Sequence, residues 1–270
     1  MPAQLFDLSA ETAVVIGGTG VLGGALAEGL ARAGAAVAVV GRNPERGEAR
    51  VAAIRSAGGR GLFVRCDATD KSAVERAAAE VEKKMGIPTV LVNAAGGNDP
   101  KVTVVGDRCF EALELADWMA NYNLNVIGGC LLPCQVFGAA MAKRGKGSII
   151  NIASVSAHIP LSRVISYSSA KAAVLSLSQF LAREWARSGV RVNTLTPGFF
   201  PAEQNRKLLF NEDGSPTDRA KQILGHTPMG RFGSEAELIG ACVFLAAPAA
   251  SGFVTGTDIR VDGGFLAQTI

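Results

Sequence analysis

Residues 12–34 read TAVVIGGTGVLGGALAEGLARAG, and the order of features in that stretch decides the fold. The apolar, β-branched run from Thr12 to Ile16 has the length and composition of a buried strand. It leads directly into a glycine-rich turn, and beyond the turn the chain reads as an apolar helix. Gly17, Gly20 and Gly23 lie three apart across that junction. Uncommitted backbone N–H groups and the positive end of the helix dipole suit a pyrophosphate there. Glycines at such a turn also serve simply to let a helix pack closely on a strand. The strand before and the helix after favour the nucleotide reading.

Working outward, the same alternation recurs. TAVVIG, AAVAVVG, GLFVRC, TVLVN, GSIINIA, VRVNTLT and TDIRVD are short Val- and Ile-rich runs bounded by turn residues, each a buried strand. Helical patterns lie between them; Ala170, Val174, Leu177, Leu181 and Trp185 step along one face of the clearest. Strand and helix in turn predict right-handed crossovers. The expected fold is α/β, a single-domain Rossmann-type doubly wound parallel sheet over residues 1–270 with helices on both faces. Only residues 199–230 break the rhythm, a polar segment bracketed by Pro197 and Pro228 that reads as a substrate lid.

Composition excludes several classes. The 270 residues are 48% hydrophobic and 19% charged, which is globular rather than disordered. A formal charge of +3, with no long Lys/Arg block, gives no footprint for nucleic acid. The most apolar stretch, Ala13 to Val40, is interrupted by Glu28, Arg32 and seven glycines, so no membrane span is expected. Five cysteines form no CxxC pair and no histidine stands at metal-ligand spacing, so no metal is expected. The odd cysteine count and the absence of a signal-peptide pattern point to reduced thiols in a cytoplasm.

The second strand ends at Gly41, followed by Arg42 and Asn43. An acidic side chain at that strand end would bind the adenosine ribose and select NAD; none is present. Arg42 offers a guanidinium fork to a 2′-phosphate, although most arginines are merely exposed. NADP(H) is therefore favoured, with NAD(H) possible. Asp67, with Ala68 after it, is placed to accept from the adenine amine. Asn93, Ala94 and Ala95 end the fourth strand at the same crevice. Polar residues that end strands are also ordinary turn formers.

The stretch SYSSAK at 166–171 holds one of only two tyrosines. Lys171 follows Tyr167 by one helical turn, so both side chains share a face. Ser154 precedes the tyrosine by thirteen residues, at the carboxyl end of a strand. A free phenol titrates near 10 and is a poor base at neutral pH; an adjacent ammonium and a positive nicotinamide ring are the kind of charges that lower it. A packed ring with its hydroxyl tied off is the structural alternative.

Taken together, VVIGGTGVLGG, VNAAG, Asn125-Val-Ile-Gly, SIINIAS, Tyr-Ser-Ser-Ala-Lys, RVNTLTPG and VDGG resemble a short-chain dehydrogenase/reductase of the common single-domain type along nearly the whole chain. That resemblance implies Tyr167 as general acid/base, with Lys171 lowering its pKa and gripping the nicotinamide ribose. It implies Ser154 on the reacting oxygen and Asn125, rather than Asn123, anchoring a water that relays protons. The cofactor would lie along Gly17, Thr19, Gly20, Val21, Leu22 and Gly23, and against Pro197, Gly198 and Phe200 further on. Two motifs depart from the family pattern, at three positions. Ile16 and Val21 stand where the usual loop has threonine and its middle glycine, and Ala94 replaces the second asparagine of the family's paired amides.

The lid, with VLGG and GGN, resembles the D-mannonate oxidoreductase (fructuronate reductase) subgroup. This implies exchange between a keto group on a hexuronate and the corresponding hexonate. A sugar acid needs a cation and several amides, for which Gln204, Asn205 and Arg206 in the lid and Gly97 and Asn98 after the fourth strand are candidates. His158, four residues past Ser154, is a further candidate, although a lone histidine is more often structural. Another keto-sugar or 3-oxoacyl substrate, or a non-catalytic nucleotide binder, are the alternatives. The family resemblance also implies a homotetramer or homodimer.

Overall fold

The computed structural model describes residues 2–202 and 205–269. Strands β1 Thr12–Ile16, β2 Ala36–Gly41, β3 Arg60–Arg65, β4 Val90–Asn93, β5 Gly147–Ile152, β6 Val190–Pro197 and β7 Asp258–Val261 form one sheet. Its order is β3-β2-β1-β4-β5-β6-β7, and every neighbouring pair is parallel. These are the seven runs read from the sequence.

Alternation along each strand divides the apolar side chains between two cores. Ala13, Val15, Val37, Val39, Val92 and Ile150 face helices Val21–Arg32, Pro44–Ser56 and Ile239–Ala246. Val14, Ile16, Ala38, Val40, Leu91 and Ile149 face helices Lys71–Met85, Leu115–Arg144 and Ile165–Trp185. Because both faces are covered, the central strands are continuously apolar; each enclosed Val or Ile contributes about 1.5–3 kcal/mol. On helix Ile165–Trp185 the predicted stripe is the buried face: Ala170, Val174 and Leu181 are enclosed, and Leu177 and Trp185 pack against the same core.

Helix Leu115–Arg144 is long and apolar enough to cross a membrane, with mean hydropathy 1.5. It lays Cys130, Cys134, Phe137 and Met141 into the core, however, and is a covering helix of the sheet. Wide π-type turns interrupt it at Asn123–Leu131 and Cys134–Gly138, an irregularity that recurs at functional sites.

Strand order reverses between β1 and β4, which opens a crevice at their carboxyl ends. Two irregular segments rise around it, where the sequence rhythm showed one. The lid carries short helices Arg206–Leu209 and Asp218–His226. Leu209, Ala220 and Ile223 pack there with Phe199, Phe210 and Phe232 into a small cluster of their own. The second segment, 97–114, holds only the 3₁₀ turns Pro100–Val102 and Phe110–Ala112 before helix Leu115–Arg144 begins. Its polar residues have no period that would announce a shape.

Candidate active site

The crevice floor is the glycine turn. Gly17 has φ +79°, and a Cβ on it would lie 2.6 Å from the Ala95 nitrogen, so only glycine fits. A Cβ on Gly23 would press into the Gly17 carbonyl, 2.9 Å from its carbon. Gly20 is the N-cap of helix Val21–Arg32 and has no side chain to bond the first-turn amides, which stay open to an anion. Gly17, Thr19, Gly20, Val21, Leu22 and Gly23 thus form a tight cradle walled by Ala94 and Ala95 at the end of β4. The residues present fit the pyrophosphate of a dinucleotide.

The adenosine end lies beside it. Thr19 packs on Gly41, where a Cβ would meet the threonine Oγ1 at 2.6 Å, so a side chain at that position would require Thr19 to move. Arg42 and Asn43 follow, both exposed. The Asn43 side chain caps the next helix by accepting from the Arg46 amide at 2.9 Å. Asp67 accepts from the Thr69 amide (3.0 Å) and hydroxyl (2.7 Å). These bonds, with Arg42 nearby, hold its carboxyl below the usual range. Ala68 lies next to it. The loop ends of β1, β2 and β3 therefore bring Thr19, Arg42 and Asp67 into one neighbourhood, with Arg42 exposed and near enough to act on the Asp67 carboxylate.

At the nicotinamide end, Ser154 follows β5, and its Oγ accepts from the Ser156 amide at 3.2 Å and lies 3.0 Å from the Ser156 hydroxyl. The Ser154 hydroxyl therefore accepts from Ser156 and has its own proton left to donate toward the Tyr167 oxygen. Lys171 is buried; its Nζ donates to the Ile152 carbonyl at 2.7 Å and stands 5.7 Å from the centre of the Tyr167 ring. Burial pushes the ammonium down to about 8, partly offset by Cys130. Burial also pushes the Tyr167 phenol up, and the Ser154 hydroxyl draws it back. The sequence expectation joined two positive charges, the ammonium and a nicotinamide ring; without the ring, burial keeps the phenol protonated.

Asn125 is fully enclosed, whereas Asn123 is exposed. Its amide donates to the carbonyls of Gly97 (2.8 Å) and Asn121 (2.9 Å), and its Oδ1 accepts from the Gly97 amide (2.9 Å). Asn121, one turn earlier, also donates to Gly97 (3.1 Å) and accepts from Ser166, the residue before Tyr167 (3.1 Å). Two asparagines thus clamp the β4 loop to the catalytic helix. Asn121 and Ser156 were not expected from the sequence, although the four-residue spacing of Asn121 and Asn125 is a readable helical signal.

Several candidates take other roles. The Asn93 side chain turns into the sheet and donates to Asn151 at 2.8 Å, so only its backbone reaches the crevice. His158 turns away from Ser154 toward Asp258 (3.2 Å) and Thr196 (3.5 Å), in a small cavity lined by Ser178 and Gln179; a substrate contact is withdrawn. Phe200 is buried in the sheet core against Gly233, while Pro197 and Gly198 do end β6 at the crevice. Asn205 folds the base of the lid, accepting from the Ala202 amide (2.7 Å) and donating to the Phe200 carbonyl (3.0 Å). The Arg206 guanidinium lies over the Phe210 ring at 5.6 Å. Asn98 is exposed and donates to Thr103 at 2.8 Å. Gln204 lies outside the described residues.

Comparison with known proteins agrees with this geometry. A family model described as enoyl-(acyl carrier protein) reductase matches residues 19–266. The uncharacterized oxidoreductase UxuB of Bacillus subtilis is 39% identical over 97% of each chain. Gluconate 5-dehydrogenase of Gluconobacter oxydans is 34% identical over 97% of this chain and 96% of its own. A provisionally assigned D-mannonate oxidoreductase from Haemophilus influenza, solved with bound NAD, superposes with a TM-score of 0.92 at 37% identity, covering 100% and 99% of the two chains. Gluconate 5-dehydrogenase from Burkholderia cenocepacia, in complex with NADP and tartrate, gives 0.88 at 33% identity with full coverage of both chains. With the glycine cradle, the Ser154, Tyr167 and Lys171 constellation and these matches, the chain belongs to the short-chain dehydrogenase/reductase family and is an NAD(P)-dependent oxidoreductase acting on CH–OH groups.

Proposed function

We propose that the protein interconverts a secondary alcohol and a ketone on a sugar acid of the D-mannonate/D-fructuronate type, with NADP(H) favoured over NAD(H). The observation that carries the chemistry is the convergence of Ser154, Tyr167, Lys171 and Asn125 beside the glycine cradle. When bound, the nicotinamide supplies or accepts the hydride at the substrate carbon. The protein's own residues handle the proton. Tyr167 gives it to the nascent alkoxide in reduction and takes it from the alcohol in oxidation, worth roughly 10²–10⁴-fold in rate. Ser154 donates a hydrogen bond to the same oxygen and fixes its place. Lys171 holds a positive charge under the site, and Asn125 fixes the Gly97 loop beside it.

The sugar-acid substrate is supported by relatives named for gluconate and mannonate chemistry and by polar loops on both rims. NADP(H) rests on Arg42 and on Gly41, which offers no carboxylate. We place the protein in the cytoplasm, where its five unpaired thiols stay reduced. We propose a homotetramer, with exposed Leu115, Met119 and Phe180 on two neighbouring helices and Phe253 beside β7 as surfaces that assembly would cover. The test is a panel of hexonates, hexuronates, neutral keto-sugars and 3-oxoacyl thioesters with each cofactor. Highest kcat/KM on a sugar acid upholds the assignment; highest kcat/KM on a thioester or a neutral sugar overturns it.

A further inference from the structure

Two arginines meet at the rim of the crevice with no acidic partner among the described residues. Arg219 reaches from lid helix Asp218–His226 and donates to the Ser162 hydroxyl at 2.8 Å. Arg163 is the next residue along that loop, and its guanidinium makes no hydrogen bond or ion pair among the described residues. The Ser162 contact brings the Arg219 guanidinium to the residue beside Arg163, and burial, with the Arg163 charge adding to it, holds that guanidinium below its usual value.

The backbone beneath them is unusual. Arg163, at φ +75°, is the single non-glycine residue with positive φ among the described residues. A left-handed arginine is strained and persists where neighbouring structure enforces it. Here the Val104 amide donates to the Arg163 carbonyl at 2.9 Å, which ties the β4 loop to the same point. Three segments of the rim therefore join at residues 162–163: the 97–114 loop, the loop leading into Tyr167, and the lid. Arg163 is four residues from Tyr167, a span of at most about 14 Å even fully extended.

Arg163 is exposed and Arg219 half-buried, so both guanidiniums are accessible, and two such forks match the oxygens of a planar acid. We propose that Arg163 and Arg219 form an anion-reading pair over the crevice, and that the group they read is the carboxylate of the sugar-acid substrate. This inference rests on the sugar-acid assignment above. It moves charge recognition from Arg206, which the lid uses on Phe210, to a pair that the sequence separates by 56 residues (219 − 163 = 56).

The experiment compares kcat/KM for a hexuronate, the neutral ketohexose of the same length and a hexose phosphate. The variants are Arg163→Gln, Arg219→Gln, Arg219→Lys and, as a control, Arg206→Gln. The expected result is a 10- to 100-fold fall in the acid-over-neutral ratio for either glutamine variant, carried by KM, with much of it retained in Arg219→Lys and all of it in Arg206→Gln. Arg163→Gln leaves the Ser162–Arg219 contact in place, so it separates charge reading from lid docking. An unchanged ratio in both glutamine variants overturns the inference while leaving the sugar-acid assignment intact. A wild-type preference for the neutral sugar overturns that assignment instead. Tighter use of the hexose phosphate shows that the pair reads a phosphate ester and overturns the carboxylate.

Discussion

Gly23→Ala and Gly20→Ser separate the two things a glycine turn does. A Cβ on residue 23 would stand 2.9 Å from the Gly17 carbonyl carbon and closer still to its oxygen, whereas ordinary contacts begin near 3.4 Å. Something must shift by at least about half an ångström, and Gly17 has nowhere to go. Its own Cα faces the Ala94–Ala95 backbone, where a Cβ would sit at 2.6–2.8 Å. Overpacking of this kind costs about 1–3 kcal/mol. In a protein of this size that lowers Tm by about 2–12 °C. The strain falls on the amides that hold the pyrophosphate, so cofactor affinity should drop by about 10-fold or more, equivalent to 1.4 kcal/mol. Gly20 differs. Its φ of −83° and ψ of 174° suit any residue, and a Cβ would meet only the Gly17 oxygen, at 3.3 Å. Serine is also a favoured N-cap. Gly20→Ser should keep Tm at or above wild type and cofactor affinity within about threefold. Thermal unfolding and fluorescence titration with NADPH read both quantities. A Gly23→Ala protein with wild-type Tm and affinity would refute the cradle as described.

Tyr167→Phe should keep Tm and cofactor affinity but lower turnover by about 10²–10⁴-fold, the range for a lost acid/base; near wild-type kcat would remove Tyr167 from the mechanism. Arg42→Ala should weaken NADP(H) by about 10- to 100-fold, as for one charge-assisted bond of roughly 1.5–3 kcal/mol, and leave NAD(H) unchanged; tighter wild-type binding of NAD(H) in the same titration contradicts that role. Because burial lowers the folded-state Lys171 pKa to about 8, the ammonium is present below that pH and lost above it. Cofactor affinity should therefore weaken as pH rises through about 8, and a Lys171→Met variant should lack that step; a wild-type affinity flat from pH 6 to 10 tells against the lysine–ribose contact.

The sheet was legible because buried parallel strands must be apolar on both faces, so Val14–Ile16 or Ile149–Ile152 admit one reading. The glycine cradle and the Tyr167–Lys171 spacing were legible because each is local, fixed within one turn of helix. Side-chain direction at strand ends was not. Asn93 and His158 lie next to crevice residues in sequence, yet Asn93 pairs with Asn151 across the sheet and His158 with Asp258 on the edge strand. Both partners come from distant segments, and nothing local distinguishes a side chain aimed at a ligand from one aimed at the core. Side-chain direction in the lid was hidden for the same reason. Arg206 and Arg219 are equally polar in sequence, and only the structure shows the first over the Phe210 ring and the second on the Ser162 hydroxyl.

The electrostatics of the catalytic pair bear on how the site changes roles. In the protein alone both protons are present at neutral pH: burial raises the Tyr167 phenol, and Lys171, though lowered to about 8, is still mostly charged. The ammonium is already engaged with the Ile152 carbonyl at 2.7 Å and approaches the face of the tyrosine ring, 5.7 Å from its centre. Such a site is poised to donate, as ketone reduction requires. Oxidation of an alcohol requires the phenolate, which burial disfavours. The positive ring of an oxidised nicotinamide, when bound, would add a second positive charge on the side that favours the phenolate. Tyr167 would then be better placed to donate opposite the reduced form and to accept opposite the oxidised form, with Lys171 and the cofactor charge acting together on one phenol.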